Sequence, residues 1–253
     1  MDQSFISIIT ISFNAKKHIK QTIQSVIHQN YSNKEYILID AGSQDGTIEI
    51  INKYGKDIDY WISEPDKGIA DAMNKGLKAA KGDYILFLHS DDYLINENVL
   101  SKASQFLDHD HDIFLFDLYY SDNGNKTKAK PRGLGWWMNF KTGVLHQSCI
   151  CSKILFEKIG IFDTNYKIAM DYDFFLRAYR TGAKTRYIGI PFSVMRKTGI
   201  SSRLDWPGLR ERFDEERQVH LKNCPNYFMR LIYLIYWSAY IPYRYLLCRT
   251  GRS

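Results

Sequence analysis

Three aspartates stand where apolar runs of the sequence end. Asp91 and Asp92 follow the run YILFLH at residues 84–89, and Asp40 closes the run YILID at 36–40. Paired carboxylates suit a hard cation such as Mg²⁺ or Mn²⁺, and a diphosphate would supply the remaining oxygen ligands. The alternative for the Asp91-Asp92 pair is a solvated turn, in which aspartate is also common.

Two further interpretations concern Asp40 and Asp171. The carboxylate of Asp40 could accept hydrogen bonds from a nucleotide base or a ribose, or it could cap the helix expected after Gly46. In the segment AMDYDFFLRA, Asp173 has a helical i,i+4 partner in Arg177, whereas Asp171 has no such partner in the local sequence. Asp171 could therefore act as a general base toward a sugar hydroxyl, or serve as a helix N-cap.

An α/β frame is predicted to bring these acids together. The first half reads as alternating strands and helices, with strands at 5–13, 36–40, 59–63 and 84–89 and helices at 16–29, 47–54 and 69–80. Such alternation indicates a mostly parallel sheet with helices on both faces. Ligands of these sheets bind beyond the carboxyl ends of the strands, which is where Asp40 and Asp91-Asp92 fall.

The second half has a different pattern. Strands are predicted at 112–120, 144–150 and 185–196, a turn at Asn123-Gly124, and helices at 152–159, 171–181 and 206–222. Some of these strands could be antiparallel. We therefore expect a nucleotide-binding part at about 1–110 and an acceptor-binding part with the general base at about 111–222, together forming one domain at 1–222.

The C-terminal segment, 223–253, is predicted to be an amphipathic helical tail. From Tyr227 onward it has four arginines and no acid, around the uncharged run LIYLIYWSAYIPY. That run is too short for a bilayer, which needs roughly 20 apolar residues. Its aromatic residues and flanking arginines favour a segment that lies at lipid headgroups. The alternative is a helix packed on the domain or on a second subunit.

Bulk composition is that of an ordinary globular chain. The sequence has 253 residues, 45% hydrophobic and 25% charged, and its 15% aromatic content argues against disorder. Four cysteines form no C-x-x-C pair and no cluster with zinc-ligand spacing, which predicts reduced thiols. Because Asp2 is followed directly by a strand pattern, no signal peptide is expected, and a cytoplasmic location is predicted.

Five ordered segments resemble family-2 glycosyltransferases, and most closely the non-processive bacterial enzymes that build O-antigen and capsule repeat units. These segments are SIITISFN (7–14), ILIDAGSQDGT (37–47), EPDKGIADAMNKG (64–76), GDYILFLHSDD (82–92) and AMDYDFFLR (169–177). The resemblance implies the GT-A fold, in which a nucleotide-binding α/β sheet is joined to an acceptor-binding part.

The resemblance also implies roles for residues around the strand ends. Asp40 matches the acid that binds the nucleotide base, commonly uracil, and the backbone at Ile11, Ser12 and Phe13 matches the strand end beside that base. Asp92 resembles the metal ligand of the family's D-x-D region, whose first position is Ser90 here, and Asp91 is expected near the ribose or the metal. Asp171 matches the catalytic base of inverting members, although the acid that usually precedes it is Met170 here.

Other positions resemble the family less specifically. Asp66 and Lys67 look like donor-site residues, with an exposed ion pair in a turn as the alternative. His146 and Gln147, on the predicted strand at 144–150, resemble a family feature beside the active site, although a satisfied buried histidine would look the same.

Trp136 and Trp137 could stack on an acceptor sugar or belong to the core. Asn74 is expected to be structural.

The reaction implied is an inverting, metal-dependent transfer of one sugar, from a UDP-hexose, to a hydroxyl of a polyprenyl-diphosphate-linked saccharide. The expected cofactor is Mn²⁺ or Mg²⁺, and the enzyme would sit peripherally on the cytoplasmic face of the cell membrane. Nucleic acid is not an expected partner.

Three other functions are compatible with a chain of this kind. A processive synthase would need a transmembrane array and a Q-x-x-R-W motif. A sugar nucleotidyltransferase or dinucleotide enzyme would show a glycine-rich phosphate loop. The sequence has none of these features. The third rival is a non-catalytic nucleotide-sugar-binding protein, against which the retained acids argue.

Overall fold

The computed structural model describes residues 4–122, 124–196, 203 and 205–250, so Asn123 of the predicted turn lies outside the described residues. The strands are β1 (Ile6–Ser12), β2 (Lys34–Asp40), β3 (Tyr60–Ser63), β4 (Tyr84–Phe87), β5 (Tyr93–Leu94), β6 (Ile113–Asp122), β7 (Asn125–Ala129), β8 (Cys149–Ser152) and β9 (Thr185–Arg196). The α-helices are α1 (Ile19–Ile27), α2 (Thr47–Lys53), α3 (Ile69–Ala79), α4 (Val99–Ser104), α5 (Lys153–Ile159), α6 (Met170–Arg180), α7 (Trp206–Lys222) and α8 (Tyr227–Arg249).

One nine-stranded sheet organises the molecule. Its strand order is β3-β2-β1-β4-β8-β6-β9-β5, with β7 paired to β6. Strands β1 to β4 are mutually parallel, because α1, α2 and α3 provide the crossovers that parallel neighbours require. Strand β8 runs antiparallel to both β4 and β6, and β6 is parallel to β9. The predicted parallel first half and partly antiparallel second half are confirmed.

Helices cover both faces of the sheet, as predicted. Successive residues of a strand point to opposite faces, so Ile6 and Ile8 of β1 join the core beneath α1, while Ile9 and Ile11 join the core beneath α3. The two cores fix the direction in which the carboxyl end of β1 leaves the sheet.

Two predicted boundaries are wrong. In the predicted strand at 144–150, His146–Ser148 form a turn of 3-10 helix and β8 begins only at Cys149. The Ser148 Oγ is hydrogen-bonded to the Ser193 Oγ at 2.7 Å, an anchor that the apolar pattern of the segment does not reveal.

The helix predicted at 16–29 begins only at Ile19. The backbone N–H of Ala15 donates to the Thr47 Oγ1 at 2.8 Å, and that of Lys16 donates to Asp45 at 3.1 Å. This stretch is therefore held to the first residue of α2 and the loop before it instead of winding into α1. Strands β5 and β7 and helix α4 were not predicted.

Helices α7 and α8 pack against each other at the C-terminal end of the chain. On α8, Tyr233, Trp237 and Ile241 recur every four residues, are buried, and form a third core with Leu209 and Phe213 of α7. No helix in the described part of the chain is both long and apolar enough to cross a membrane. The proposed division of the chain at 110/111 and 222/223 stays a prediction.

Candidate active site

A cavity of about 1400 Å³ opens beyond the carboxyl ends of β1 and β4. The β1 end, the turn after β4 and the start of α6 line it, and it extends to α7 and α8. The cavity therefore joins the segment of Asp91-Asp92 to that of Asp171, which are far apart in the sequence.

The end of β1 supplies one wall. Ile11, Ser12 and Phe13 all line the cavity. The Ser12 Oγ is buried and has no hydrogen-bond partner among the described residues, and the Phe13 ring is 64% exposed. A hydroxyl without a partner beside an accessible ring offers hydrogen bonding and stacking to a planar ligand group.

Asp40 lies behind this wall rather than on it. Its side chain is fully buried and accepts hydrogen bonds from the Ser63 Oγ at 2.7 Å, from the Ser43 Oγ at 2.6 Å, and from the backbone N–H groups of Ser43 and Gly42 at 2.8 and 3.1 Å. The carboxylate thus shapes the loop after β2, from which Ala41 lines the cavity. The alternative role as a helix cap is wrong, because no cap bond joins Asp40 to α2.

Of the neighbouring residues Asp66 and Lys67, only Asp66 contacts the cavity. Asp66 lines the cavity, and burial raises the pKa of its carboxyl above the usual value, while its Oδ1 accepts the N–H of Gly68 at 2.8 Å. Lys67 is exposed and is not part of the lining, and its backbone N–H donates to Asp71 at 3.0 Å. No ion pair between Asp66 and Lys67 occurs in the described structure.

Asp91 and Asp92 follow β4 and both line the cavity. The Asp92 side chain is 1% exposed, and its Oδ1 accepts the backbone N–H of Arg196 at 3.1 Å. Burial, and then the neighbouring Asp91 charge, hold the pKa of Asp92 well above its usual range. The Arg196 guanidinium bonds the Asp91 carbonyl and Gln21. The solvated-turn alternative is therefore wrong for Asp92.

The chemistry of this corner fits a divalent cation. Burial removes water from around the Asp92 carboxylate, and a bound cation would replace the stabilisation that this water gives. His89 and His146 also line the cavity with ring centroids 5.3 Å apart, and the buried Nε2 of His146 has no hydrogen-bond partner in the described residues. Within the described part of the chain, no three His, Cys, Asp or Glu side chains are grouped to hold a metal without outside ligands. A metal here would thus take ligands from a bound diphosphate.

Asp171 faces the cavity from the first turn of α6. The helix begins at Met170 with Ala169 as its N-cap residue, so the N-cap alternative for Asp171 is wrong. Its Oδ1 accepts the N–H of Tyr172 at 2.7 Å. Burial raises the pKa of Asp171 to about 6. A carboxylate with a pKa near neutrality is suited to accept a proton.

A hydrogen-bonded chain fixes Tyr172, the residue after Asp171. The Trp237 Nε1–H of α8 donates to the His220 Nδ1 at 2.9 Å, so the neutral imidazole carries its proton on Nε2 and donates it to the Tyr172 Oη at 2.6 Å. Tyr172 then donates to the Met138 carbonyl at 2.7 Å. The imidazole is neutral because burial lowers the pKa of His220 to about 3. The start of α6 is thereby tied to α7 and α8.

Glu215 is a site-forming residue that the sequence did not reveal. Its carboxylate, from α7, accepts the backbone N–H groups of Lys167, Ile168 and Ala169 at 2.8 to 2.9 Å. These three residues immediately precede α6, and all line the cavity. In the sequence Glu215 looks like one more charged residue of a polar helix, so only the tertiary contact identifies it.

Removing the Glu215 carboxylate should destabilise the fold. We expect Glu215→Ala to lower the free energy of unfolding by about 3 kcal/mol, since three N–H groups lose a charged acceptor. Urea unfolding measures the change, and Glu211→Ala, an exposed glutamate on the same helix, is the control. Equal midpoints for the two variants would contradict the bracing role.

The remaining predicted residues are divided. His146 and Gln147 line the cavity, whereas Trp136 and Trp137 do not. Trp136 is 68% exposed, and the Trp137 Nε1–H donates to the Gly133 carbonyl at 2.9 Å. Their contact with an acceptor stays a prediction.

The ion pair expected for Asp173 and the structural role expected for Asn74 are confirmed. Arg177 pairs with Asp173 at 2.8 Å, and the amide of Asn74 exchanges two hydrogen bonds with the backbone of Phe162.

Comparison with known proteins gives one family. The model described as "Glycosyl transferase family 2" matches residues 7–190. An uncharacterized glycosyltransferase of Mycobacterium tuberculosis is 34% identical over 178 residues, which are 68% of each chain. A PGL/p-HBAD biosynthesis glycosyltransferase of Mycobacterium bovis is 28% identical over 198 residues, 75% of this chain and 76% of that one.

Solved structures share the fold. Staphylococcus aureus TarS is superposed with a TM-score of 0.66 at 22% identity, covering 85% of this chain and 39% of that chain. A shorter TarS, residues 1–349, solved with UDP-GlcNAc, has a TM-score of 0.65 at 21% identity and covers 87% and 71%. The mannosyltransferase PcManGT of Pyrobaculum calidifontis, solved with GDP-Man and Mn²⁺, has a TM-score of 0.69 at 16% identity and covers 98% and 74%.

Proposed function

Because the chain belongs to glycosyltransferase family 2 and is a glycosyltransferase of GT-A fold, we propose that it transfers a single sugar with inversion from a UDP-hexose to a hydroxyl of a lipid-linked saccharide. The observation that carries this proposal is the shared cavity, which Asp91-Asp92 and Asp171 line together. One group can thus meet a diphosphate while the other meets an acceptor hydroxyl.

Asp171 is proposed as the general base. Its carboxylate takes the proton of the acceptor hydroxyl, and the oxygen attacks the anomeric carbon from the face opposite the nucleoside diphosphate. The bond to the diphosphate breaks as the new glycosidic bond forms, so an α-linked donor gives a β-glycoside. A pKa of about 6 keeps most of the carboxyl ionised at neutral pH and ready to accept the proton.

The β1 end and the turn after β4 are proposed as the donor site. Ile11, Ser12 and Phe13 would border the base. Asp91 would lie near the ribose. The buried Asp40 would act on the base through the loop that it shapes, and Asp66 would border the sugar-diphosphate. Lys67, which lies outside the lining, would act on the diphosphate only through its charge.

Asp92, with Asp91 beside it, is proposed to hold Mn²⁺ or Mg²⁺. A bound divalent cation would neutralise charge on the leaving diphosphate.

Donor binding tests the proposal directly. We expect UDP-hexoses with Mn²⁺ to raise the melting temperature, because a ligand that binds only the folded state stabilises it. A panel of UDP-, GDP- and dTDP-sugars, measured by thermal unfolding and followed by assay of acceptor-free hydrolysis, identifies the donor. A panel in which no nucleotide sugar stabilises or is hydrolysed would overturn the proposed function.

The outer face of α8 is proposed to rest on the cytoplasmic face of a cell membrane, where an O-antigen or capsule intermediate would be reached. The exposed apolar side chains of this face are Tyr227, Phe228, Leu231, Leu234, Ile235, Tyr243, Tyr245 and Leu246. Arg230 and Arg249 lie on the same helix, which carries no acid. Anionic headgroups attract such a helix by about 1 kcal/mol per basic residue.

Charge placed on this face should release the enzyme from lipid. We expect Leu234→Glu/Ile235→Glu to lose binding to vesicles containing phosphatidylglycerol, measured by co-sedimentation at low and high salt. Removal of the whole tail is unsuitable, because α8 buries Tyr233, Trp237 and Ile241 against α7. The control is Ile154→Glu/Ile161→Glu, two residues of similar exposure outside α8. Equal partitioning of the two double variants would refute the membrane role.

A further inference from the structure

The cavity has a second end, away from the strands, that the donor does not account for. Lys141, Arg212, Glu216, Tyr236, Tyr240 and Arg244 line it. All but Lys141 come from α7 and α8. The ring of Tyr236 on α8 also packs on Phe140, with centroids 5.1 Å apart. These two helices lie beyond residues 7–190, which the family model matches.

Charge is distributed unevenly along the cavity. Near the strands and α6 the lining has four acids, Asp66, Asp91, Asp92 and Asp171, against two lysines, Lys17 and Lys167. At the α7–α8 end, three bases, Lys141, Arg212 and Arg244, accompany the single acid Glu216.

The two arginines are held in place by one aromatic ring. The guanidinium carbons of Arg212 and Arg244 each lie 5.3 Å from the centroid of Phe213. Arg244 donates to the Tyr240 Oη at 3.0 Å, and the Arg212 Nε lies 3.6 Å from Glu216. Two cations fixed on the same ring present a preorganised site for an anion.

Glu216 does not cancel this charge. Burial raises the pKa of Glu216 to about 7, even though Arg212 acts to lower it. The carboxyl is therefore partly protonated at neutral pH, and the positive charge of this end rises further. The Asp171 charge also acts on Glu216, which indicates that this end of the cavity lies close to the base.

An aromatic surface adjoins the bases. The rings of Tyr236 and Tyr240 are stacked, with centroids 5.0 Å apart and planes at 15°. Aromatic faces bury the apolar side of a sugar ring, and the phenol hydroxyls remain to form hydrogen bonds. The same helix carries the proposed lipid-facing side chains on its outer face.

We propose that Lys141, Arg212 and Arg244 form a subsite for the phosphate or diphosphate that joins the acceptor saccharide to its lipid, with the Tyr236–Tyr240 stack beside the first sugar. This inference rests on the proposed function and adds the chemistry by which the acceptor is recognised. The lipid would leave along α8 toward the membrane.

Binding of geranyl phosphate tests the subsite. Calorimetry is run with UDP and Mg²⁺ saturating the donor end, so that the probe reports only the other end. We expect Arg212→Gln and Arg244→Gln each to weaken the binding of geranyl phosphate by about tenfold or more, because a charge-assisted hydrogen bond is lost. Arg217→Gln, an exposed arginine of α7 outside the lining, should bind the probe like the unaltered protein.

Further probes and variants separate the outcomes. Lys141→Gln changes an exposed side chain and should weaken the binding of geranyl phosphate without affecting the melting temperature of the protein. Geraniol should bind at least tenfold more weakly than geranyl phosphate, which assigns the affinity to the anion. If inorganic phosphate binds as tightly as geranyl phosphate, the assignment to a lipid-linked phosphate is overturned. If the affinity for geranyl phosphate is unchanged in all three variants, the subsite itself is overturned. UDP binding is measured in each variant, so failure of the donor site is seen separately.

Discussion

Replacing Asp171 with asparagine is expected to lower kcat by about 10²–10⁴-fold while nucleotide-sugar affinity stays nearly constant. The carboxylate lines the cavity at the first turn of α6, and its pKa of about 6 is matched to proton transfer near neutrality. An amide of the same shape cannot accept the hydroxyl proton. The loss should therefore fall on turnover and not on donor binding.

The pH profile provides an independent check of this role. Activity should fall as the pH decreases through about 6, because protonation of Asp171 removes the base, and this limb should be absent in Asp171→Asn. Other ionisable groups whose charge interacts near Asp171 are Glu216 of α7 and Cys149 of β8, and Glu216→Gln should retain the acidic limb.

Asp173→Asn is the matched control for Asp171→Asn. Asp173 is fully buried, pairs with Arg177 and accepts from Asn223, so its loss should lower stability more than kcat. A collapse of donor affinity with normal kcat in Asp171→Asn would assign Asp171 to the donor site instead.

Removing the carboxylate of Asp92 is expected to abolish metal-supported turnover, with kcat/KM lower by roughly 10²-fold or more, because a metal contributes several kcal/mol of charge stabilisation. EDTA should silence the unaltered enzyme until Mn²⁺ or Mg²⁺ is restored. In thermal unfolding, Mn²⁺ with UDP should stabilise the unaltered chain and not Asp92→Asn.

Asp83→Asn serves as the control for Asp92→Asn, since Asp83 is an exposed acid just before β4 and outside the cavity. Full activity of the unaltered enzyme in EDTA would contradict the metal mechanism. Retained Mn²⁺ stabilisation in Asp92→Asn would show that another group anchors the cation.

The parallel half of the sheet was predictable because its signals are local. Apolar β-branched runs define β1, β2 and β4, and the rule that ligands lie beyond their carboxyl ends placed Asp91 and Asp92 at a common edge. The direction of the Asp40 carboxylate was not predictable, because it depends on Ser43 and on Ser63, a residue of the neighbouring strand.

Long-range contacts account for the features that the sequence did not reveal. Glu215 braces backbone 46 to 48 residues away, and Arg196 contacts the segment of Asp91 and Asp92 across about one hundred positions. Neither contact leaves a periodic signal. The tail was recognisable as aromatic and basic, but only its packing on α7 distinguishes the buried Tyr233 and Trp237 from exposed neighbours such as Leu234.

The hydrogen-bonded chain from Trp237 through His220 to Tyr172 has an evolutionary consequence. If the outer face of α8 rests on lipid as proposed, its side chains can be exchanged for other apolar residues, because a bilayer requires no fixed side-chain shape. Trp237 should not be substituted by itself. Its loss would leave the buried Nδ1 of His220 without a hydrogen-bond donor, and His220 contacts Tyr172. Selection should therefore act on the two sides of one helix at different rates, and substitutions at positions 220 and 237 should occur together.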